Sequence, residues 1–323
     1  MCKKCLYCYG PLQAGETNYH AACARQFFGT GKAPVVPYSR ENISVLALQV
    51  IQASMTVTGV QAKLALDIER NARDKQDKLT IVGLWGRYIL KPQSDKYLYM
   101  PELEDVTMKM ASAAGISTAP HSLIRMADGE LAYITRRMDR GVDGTKYSML
   151  DMCQLSNRLT EHKYRGAYAQ LAETVRRYSS ASLLDVQHFW ELVLFSWITG
   201  NSDMHCKNFS LIDRKDGLGY VLSPAYDLLA VLLTGIEDNN ELALTLSGPG
   251  VEDDEFIGGY RRADFVKVMR ESGIHERSAQ VMIDRLVACK DKWYVLIGQS
   301  FLSESLQQRY QSLIEERLQR LME

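Results

Sequence analysis

Cys5, Cys8, His20 and Cys23 crowd the first 23 residues as a C-x2-C pair, eleven intervening residues, and an H-x2-C pair. Each short pair is a knuckle that brings two ligand atoms onto one ion, and Gly10-Pro11 turns the chain back so that the pairs can meet. Four nitrogen and sulfur ligands suit a closed tetrahedral Zn²⁺ site with no open position for catalysis. The alternative is a set of unliganded, oxidisable surface thiols. Cys2 stands as an unused or alternative ligand, while Cys153, Cys206 and Cys289 are scattered singly. A second constellation lies in GNSDMHCKNFSL, residues 200–211, followed by Asp227 in PAYD. Here one carboxylate, Asp203, can accept or orient a reacting hydroxyl, and the Asn208 amide oxygen with the Asp227 carboxylate can hold Mg²⁺ against phosphates. Lys207 can offset charge that develops on a transferred phosphoryl group. The bland reading is a polar loop in which Asp and Asn only make turns. His205 is alone in the loop, so a structural role is preferred over metal ligation.

The elements that must position these groups are legible in outline. An apolar helix over Leu184 to Gly200 leads into the Asp203 loop, and Asp216-Gly217 turns a hairpin before Tyr220-Val-Leu and Asp227. The five positions from Asp203 to Asn208 repeat the base-to-metal-ligand interval of the protein-kinase catalytic loop H-R-D-x-x-x-x-N. Upstream, Met55 to Leu66 reads as strand, tight turn at Gly59 and strand, and Tyr88 to Lys91 as a strand ending in a lysine. Glu102 to Ala114 reads as a helix closed by Gly115, with Val106, Met110, Ala113 and Ala114 on one face. Its first turn carries Glu104, and a strand lysine paired with a helix glutamate recurs in kinases. Gly29 to Tyr38 is a linker: GTGKAP lacks the first Walker glycine, and Pro34 and Pro37 forbid the helix such a loop needs. Asp264 to Glu271, Glu276 to Trp293 and Ser303 to Glu323 read as helices, the last with Leu306, Tyr310, Leu313, Ile314 and Leu321 on one face.

Composition sets limits on the whole. At 323 residues, 46% hydrophobic and 24% charged, the chain is long enough for one large or two modest globular domains and is neither disordered nor fibrous. With 38 basic against 39 acidic residues it offers no broad basic field, so direct nucleic-acid binding is not expected. The most apolar stretch, Phe189 to Gly200, contains Glu191 and is too short to span a bilayer. The start lacks an apolar secretory core, which places the protein in the cytoplasm.

Taken in order, TVTGVQAKLAL, YILKP, ELEDVTMKMASAAGISTAP, ITRRMDRG, DMCQ, GNSDMHCKNFSL and LSPAYDLL resemble the HipA family of toxin Ser/Thr kinases over roughly Met55 to Leu233. The resemblance implies an α+β, divergent two-lobed protein-kinase-like fold with a small β-rich N-lobe and a mainly helical C-lobe, here with an N-terminal zinc knuckle. The implied division is 1–38 for knuckle and linker, 39–139 for the ATP-binding N-lobe and 140–323 for the C-lobe. Asp203 becomes the catalytic base, and Asn208 and Asp227 the Mg²⁺ ligands. Lys91 becomes the phosphate-binding lysine with Glu104 as partner, and Thr58, Gly59, Val60, Gln61, Ala62 and Lys63 the phosphate-covering loop. That loop has one glycine where ordinary kinases have three. Arg136, Arg137 and Met138 match the adenine hinge, Asp139 could reach the ribose, and His205 and Lys207 fall in the segment that contacts ATP.

The resemblance further implies a protein substrate, with aminoacyl-tRNA synthetases as the targets of characterised members, and autophosphorylation at Thr56 or Thr58. The short segment before the phosphate loop is similar to that of HipT-like kinases, whose separate HipS-like protein stands for the missing first subdomain. A HipB-like DNA-binding antitoxin is the other expected partner. A lipid or small-molecule kinase on this scaffold and a silent, zinc-stabilised interaction module are the alternatives. The knuckle itself, an addition to the family pattern, would either cap the N-lobe or dock a partner.

Overall fold

The computed structural model describes residues 4–43, 46, 63–70, 76–82, 85–141, 143–236, 240–248 and 259–323. Thr56, Thr58, Gly59, Val60, Gln61 and Ala62, and also Cys2, lie outside the described residues. Two compact units make up the chain: residues 1–106, 119–137 and 299–302 form the first, and 107–118, 138–298 and 303–323 the second. Among the described residues no helix is long and apolar enough to cross a membrane.

The first unit is built on a sheet of β1 (Leu64–Glu69), β2 (Lys78–Ile81), β3 (Tyr88–Lys91), β4 (His121–Arg125) and β5 (Leu131–Arg136). Their order is β2-β1-β3-β5-β4, with every pair antiparallel. Leu64 and Leu66 on β1 and Tyr88 and Leu90 on β3 are buried, the period-two pattern of a sheet with one face on a core. Helix α1 (Ala21–Phe28) buries Phe27 and Phe28, whose rings lie 6.0 and 6.1 Å from that of Tyr88. An uncovered edge strand invites pairing with another chain. At β4 the N-terminal knuckle takes that edge: Leu123 N–H donates to the Leu6 carbonyl at 3.4 Å, and the Tyr19 hydroxyl donates to the Leu123 carbonyl.

Helix α2 (Met100–Ala113) starts earlier than the sequence pattern suggests, because a proline at position 101 fits a first helical turn that needs no N–H bond. The Gln93 side chain accepts the Met100 N–H at 3.1 Å. Its end is a Schellman turn: Gly115, with φ of 87°, donates to Ser112 O, and Ile116 donates to Ala111 O.

In the second unit β6 (Ser148–Asp151), β7 (Ser210–Asp213) and β8 (Val221–Leu222) form a three-stranded sheet in that order. Helices α3 (Met152–Leu155), α4 (Tyr168–Tyr178) and α5 (Ser182–Ile198) follow β6. In α5 Val186 and every residue from Phe189 to Ile198 are buried, so its apolar run is a core helix. Full burial of such side chains contributes about 1.5–3 kcal/mol each. Gly200 ends it with φ of 72°, and a Cβ there would come within 2.6 Å of the Leu313 side chain, so only glycine makes this exit into the Asp203 loop.

The remaining helices are α6 (Arg262–Glu271), α7 (Glu276–Val287), α8 (Lys290–Gln299) and α9 (Glu304–Met322). The single helix expected over Glu276 to Trp293 is in fact two. Ala288 N–H splits between Asp284 O and Leu286 O, and Cys289 N–H bonds Leu286 O, which tightens the turn and redirects the chain. The redirection buries Trp293, whose indole N–H donates to Met110 O at 2.9 Å. On α9 the expected face is buried at Leu306, Tyr310, Ile314 and Leu321, and Arg317 joins it. Arg317 and Arg320 close on Glu241 at 2.5 and 2.7 Å, and Trp197 Nε1 donates to the same carboxylate at 2.9 Å. Burial alone would raise the Glu241 pKa, but these donors outweigh it and hold the carboxyl at about 2.

Candidate active site

Within the first unit, Lys91 ends the middle strand opposite Tyr133, and its Nζ bonds Glu104 Oε1 of α2 at 2.5 Å with both side chains buried. A buried ion pair is weak support for stability, but removal of one partner strands the other charge at a cost of about 3–5 kcal/mol. The pair therefore fixes both groups. Lys63 is exposed just before β1. In the expected hinge, Arg136 N–H is engaged by Pro120 O and Arg137 N–H by Arg87 O, each at 2.8 Å. Asp139, in the second unit, accepts from Arg140 Nη1 at 2.6 Å and gives its carbonyl to Tyr147 N–H.

The second unit holds the Asp203 loop. Asp203 is half exposed, and its Oδ1 accepts from the Tyr164 hydroxyl at 2.5 Å. The Asn208 amide nitrogen donates to the Asp203 carbonyl at 2.9 Å, so the amide oxygen points the opposite way. Asn201 ties the site together: its oxygen takes the Asp203 N–H at 3.3 Å, and its nitrogen lies 3.5 Å from the Asp227 carbonyl. Asp227 has φ of 60°, a conformation Asp tolerates better than most residues and one concentrated at functional sites. Lys207 pairs with Asp151 at 2.7 Å, while Tyr226 donates to Lys207 O at 2.8 Å and meets Ser210 Oγ at 2.6 Å. His205 is buried, edge-on to Tyr164 at 5.0 Å, and its Nδ1 has no hydrogen-bond partner among the described residues. Burial lowers its pKa, so the ring is neutral near pH 7.

Asp151 stands in DMCQ and Asn201 in GNSDMHCKNFSL, yet the sequence assigns a role to neither of them nor to Tyr164. Asp151 opens a capping box with Gln154 at the start of α3, a pattern visible in the sequence. Tyr164 carries no such signal.

The knuckle residues meet as their spacing predicts: the ligand atoms of Cys5, Cys8, His20 and Cys23 all lie within 4.8 Å of one another. His20 Nε2 faces Pro11 O at 2.9 Å, which puts the proton on Nε2 and leaves the Nδ1 lone pair toward Cys8 and Cys23, 3.3 and 3.6 Å away. Burial and the neighbouring Cys5 sulfur push the Cys23 thiol up to about 12, the penalty of crowding thiolates without a cation. The donor set and its tautomer fit zinc.

Glu102, in the first turn of α2, is buried with one oxygen unbonded among the described residues, and burial pushes its pKa up to about 7. The folded chain thus holds a proton that the unfolded chain releases. Stability from the neutral form is complete below the unfolded value near 4.5 and is lost as pH rises to about 7. Glu102→Gln is expected to raise Tm at about pH 8, by up to roughly 3 kcal/mol in stability, and to change nothing at about pH 4. Thermal melts at both pH values check this, and an equal effect at both would refute it.

Comparison with known proteins bears on the family and the fold. The model of the HipA-like C-terminal domain matches residues 55–293. A Haemophilus influenzae protein named "Putative kinase" is 26% identical over 84% of this chain and 82% of its own length. The serine/threonine-protein kinase toxin HipA of Shewanella oneidensis is 26% identical over 66% of this chain, which spans about half of that toxin, 51%. Among solved structures, the Shewanella oneidensis HipA in complex with HipB and operator DNA matches 90% of this chain and 72% of its own at a TM-score of 0.67 and 21% identity. The Helicobacter pylori proinflammatory kinase CtkA matches 76% and 88% at a TM-score of 0.54 and 13% identity. Both likenesses are of fold, the mixed α/β fold of HipA and CtkA. With the family match running unbroken from before β1 through the Asp203 loop to Trp293, the chain belongs to the HipA-like C-terminal domain family.

Proposed function

We propose that this chain is an ATP- and Mg²⁺-dependent Ser/Thr protein kinase that acts as the toxin of a toxin–antitoxin system in the cytoplasm. The observation that carries the reading is the Asp203 loop, where the Asn208 amide is anchored by nitrogen to the Asp203 carbonyl and so turns its oxygen outward as a ligand. Asp203 takes the proton of the substrate hydroxyl as its oxygen bonds the γ-phosphorus and ADP departs. Asn208 and Asp227 hold Mg²⁺ against the phosphates, Lys207 balances developing charge, and Lys91, fixed by Glu104, binds the phosphates. His205, Lys63 and residues 136–139 complete the nucleotide contacts.

Autophosphorylation at Thr56 or Thr58 would add a charge of about −1.5 to −2 beside the phosphate-covering loop Thr58 to Lys63 and lower ATP affinity. A HipB-like antitoxin and a HipS-like small protein are the partners; the relative seen with HipB and operator DNA and this chain's net charge of −1 support DNA contact through a partner. Zn²⁺ occupies Cys5, Cys8, His20 and Cys23. The test is labelled ATP added to a native-host lysate with wild-type or Asp203→Ala protein. Label in one cytosolic protein, and on Thr56 or Thr58, only with wild type supports the reading. Label confined to lipid or metabolites, or none at all, overturns it.

A further inference from the structure

A continuous run of buried contacts in the first unit joins the knuckle to the Lys91–Glu104 pair. Tyr9 directly follows Cys8, and its N–H donates to the carbonyl of Cys5 at 2.9 Å. It sits at φ of 64°, which a tyrosine holds only when its surroundings over-determine it. The ring is buried, edge-on to Phe301 at 5.5 Å, and its hydroxyl donates to Asp105 Oδ2 at 2.6 Å. Asp105 follows Glu104 on α2. From its other oxygen the run returns: His121 Nε2 stands 3.8 Å from Asp105 Oδ1, His121 stacks on Tyr133 at 6.0 Å, and Lys91 Nζ lies 5.3 Å over the Tyr133 ring.

We propose that Tyr9 is a positioning residue: zinc in the knuckle holds Tyr9 on Asp105, and that bond holds the Glu104 turn of α2 where Lys91 meets it. The proposal rests on the zinc and kinase readings above. Without the ion, nothing bonds the four ligand atoms that lie within 4.8 Å of one another, the Cys5 to Gly10 loop loosens, and Tyr9 leaves Asp105. A fully buried carboxylate deprived of a donor is costly, so α2 shifts toward water and Glu104 moves with its neighbour. The knuckle thereby acts on phosphate binding without touching ATP.

The experiment uses the full chain purified with its metal, as wild type, Tyr9→Phe and Tyr19→Phe. Tyr9→Phe keeps the buried ring and removes only the hydroxyl. It is expected to retain zinc, weaken Mg-ATP binding about tenfold and raise amide hydrogen exchange along α2. Tyr19→Phe removes a hydroxyl that the same knuckle gives to Leu123 O, so it lowers Tm but leaves ATP affinity and α2 exchange as in wild type. Removing zinc from wild type with a chelator reproduces the Tyr9→Phe effects, added zinc reverses them, and this arm serves if Tyr9→Phe does not fold. Unchanged ATP affinity and α2 exchange after zinc removal overturn the proposal, as does wild-type protein without zinc. Zinc-loaded wild type that binds no Mg-ATP while α2 exchange still follows zinc overturns the kinase reading and leaves the coupling standing.

Discussion

Asp203→Ala is expected to lower phosphoryl transfer by about a thousandfold or more while the protein stays folded, since it removes the proposed general base. The loop should survive the change because its anchors are on the backbone of residue 203. Asn201 accepts the residue's N–H and the Asn208 amide donates to its carbonyl, and neither bond uses the carboxylate. The side chain is half exposed and gives up the Tyr164 bond, so stability should change by about 1 kcal/mol or less. Asp227→Asn is the better partner test than Asp227→Ala. At φ of 60° alanine would add backbone strain, whereas asparagine tolerates that conformation and keeps the shape while losing the charge proposed to bind Mg²⁺. Initial rates with labelled ATP, beside melting curves for each variant, decide the matter. Full activity in a folded Asp203→Ala protein would end the proposed mechanism.

Withdrawal of zinc should have the largest effect on stability. About one ion per chain is expected in purified protein, lost on treatment with a strong chelator or in Cys8→Ser. The knuckle supplies the partners of the β4 edge through Leu6 and Tyr19, and α1, which starts directly after His20 and carries Cys23, buries Phe27 and Phe28. Opening it frees that edge and exposes two large aromatic side chains, so a loss of at least about 3 kcal/mol is expected. With each kcal/mol worth about 2–4 °C for domains of this size class, Tm should fall by roughly 6–12 °C. Elemental analysis with paired melts checks both halves. Protein that carries no zinc, or a melting curve indifferent to its removal, would return the four residues to ordinary thiols and a histidine.

Some of this was legible because the chemistry is local. The four knuckle ligands lie within 23 residues, and Asp203 and Asn208 within six, so spacing alone brings them together. Helix α4 carries the same kind of signal, with Tyr168, Leu171, Ala172 and Val175 at helical spacing as its buried stripe. The break at Ala288 and Cys289 was not legible, because no glycine or proline marks it and it serves the burial of a tryptophan on a distant residue's carbonyl. Lys91 and Glu104 could be named from family motifs, yet their contact at 2.5 Å follows from α2 starting at Met100 and from β3 lying mid-sheet.

By itself, then, the sequence determined which groups are present and which of them must be neighbours: the knuckle, the Asp203 loop, an amphipathic α9 and the family. These follow from short spacings and periodicities that local backbone geometry converts directly into position. Only the tertiary structure decided what holds those groups in working order. Asp151 on Lys207, Tyr164 on Asp203 and Tyr9 on Asp105 are separated by 56, 39 and 96 residues. Such pairs leave no periodic trace in a single sequence, because their meeting depends on strand order and on which polar groups the packed core leaves in need of a partner.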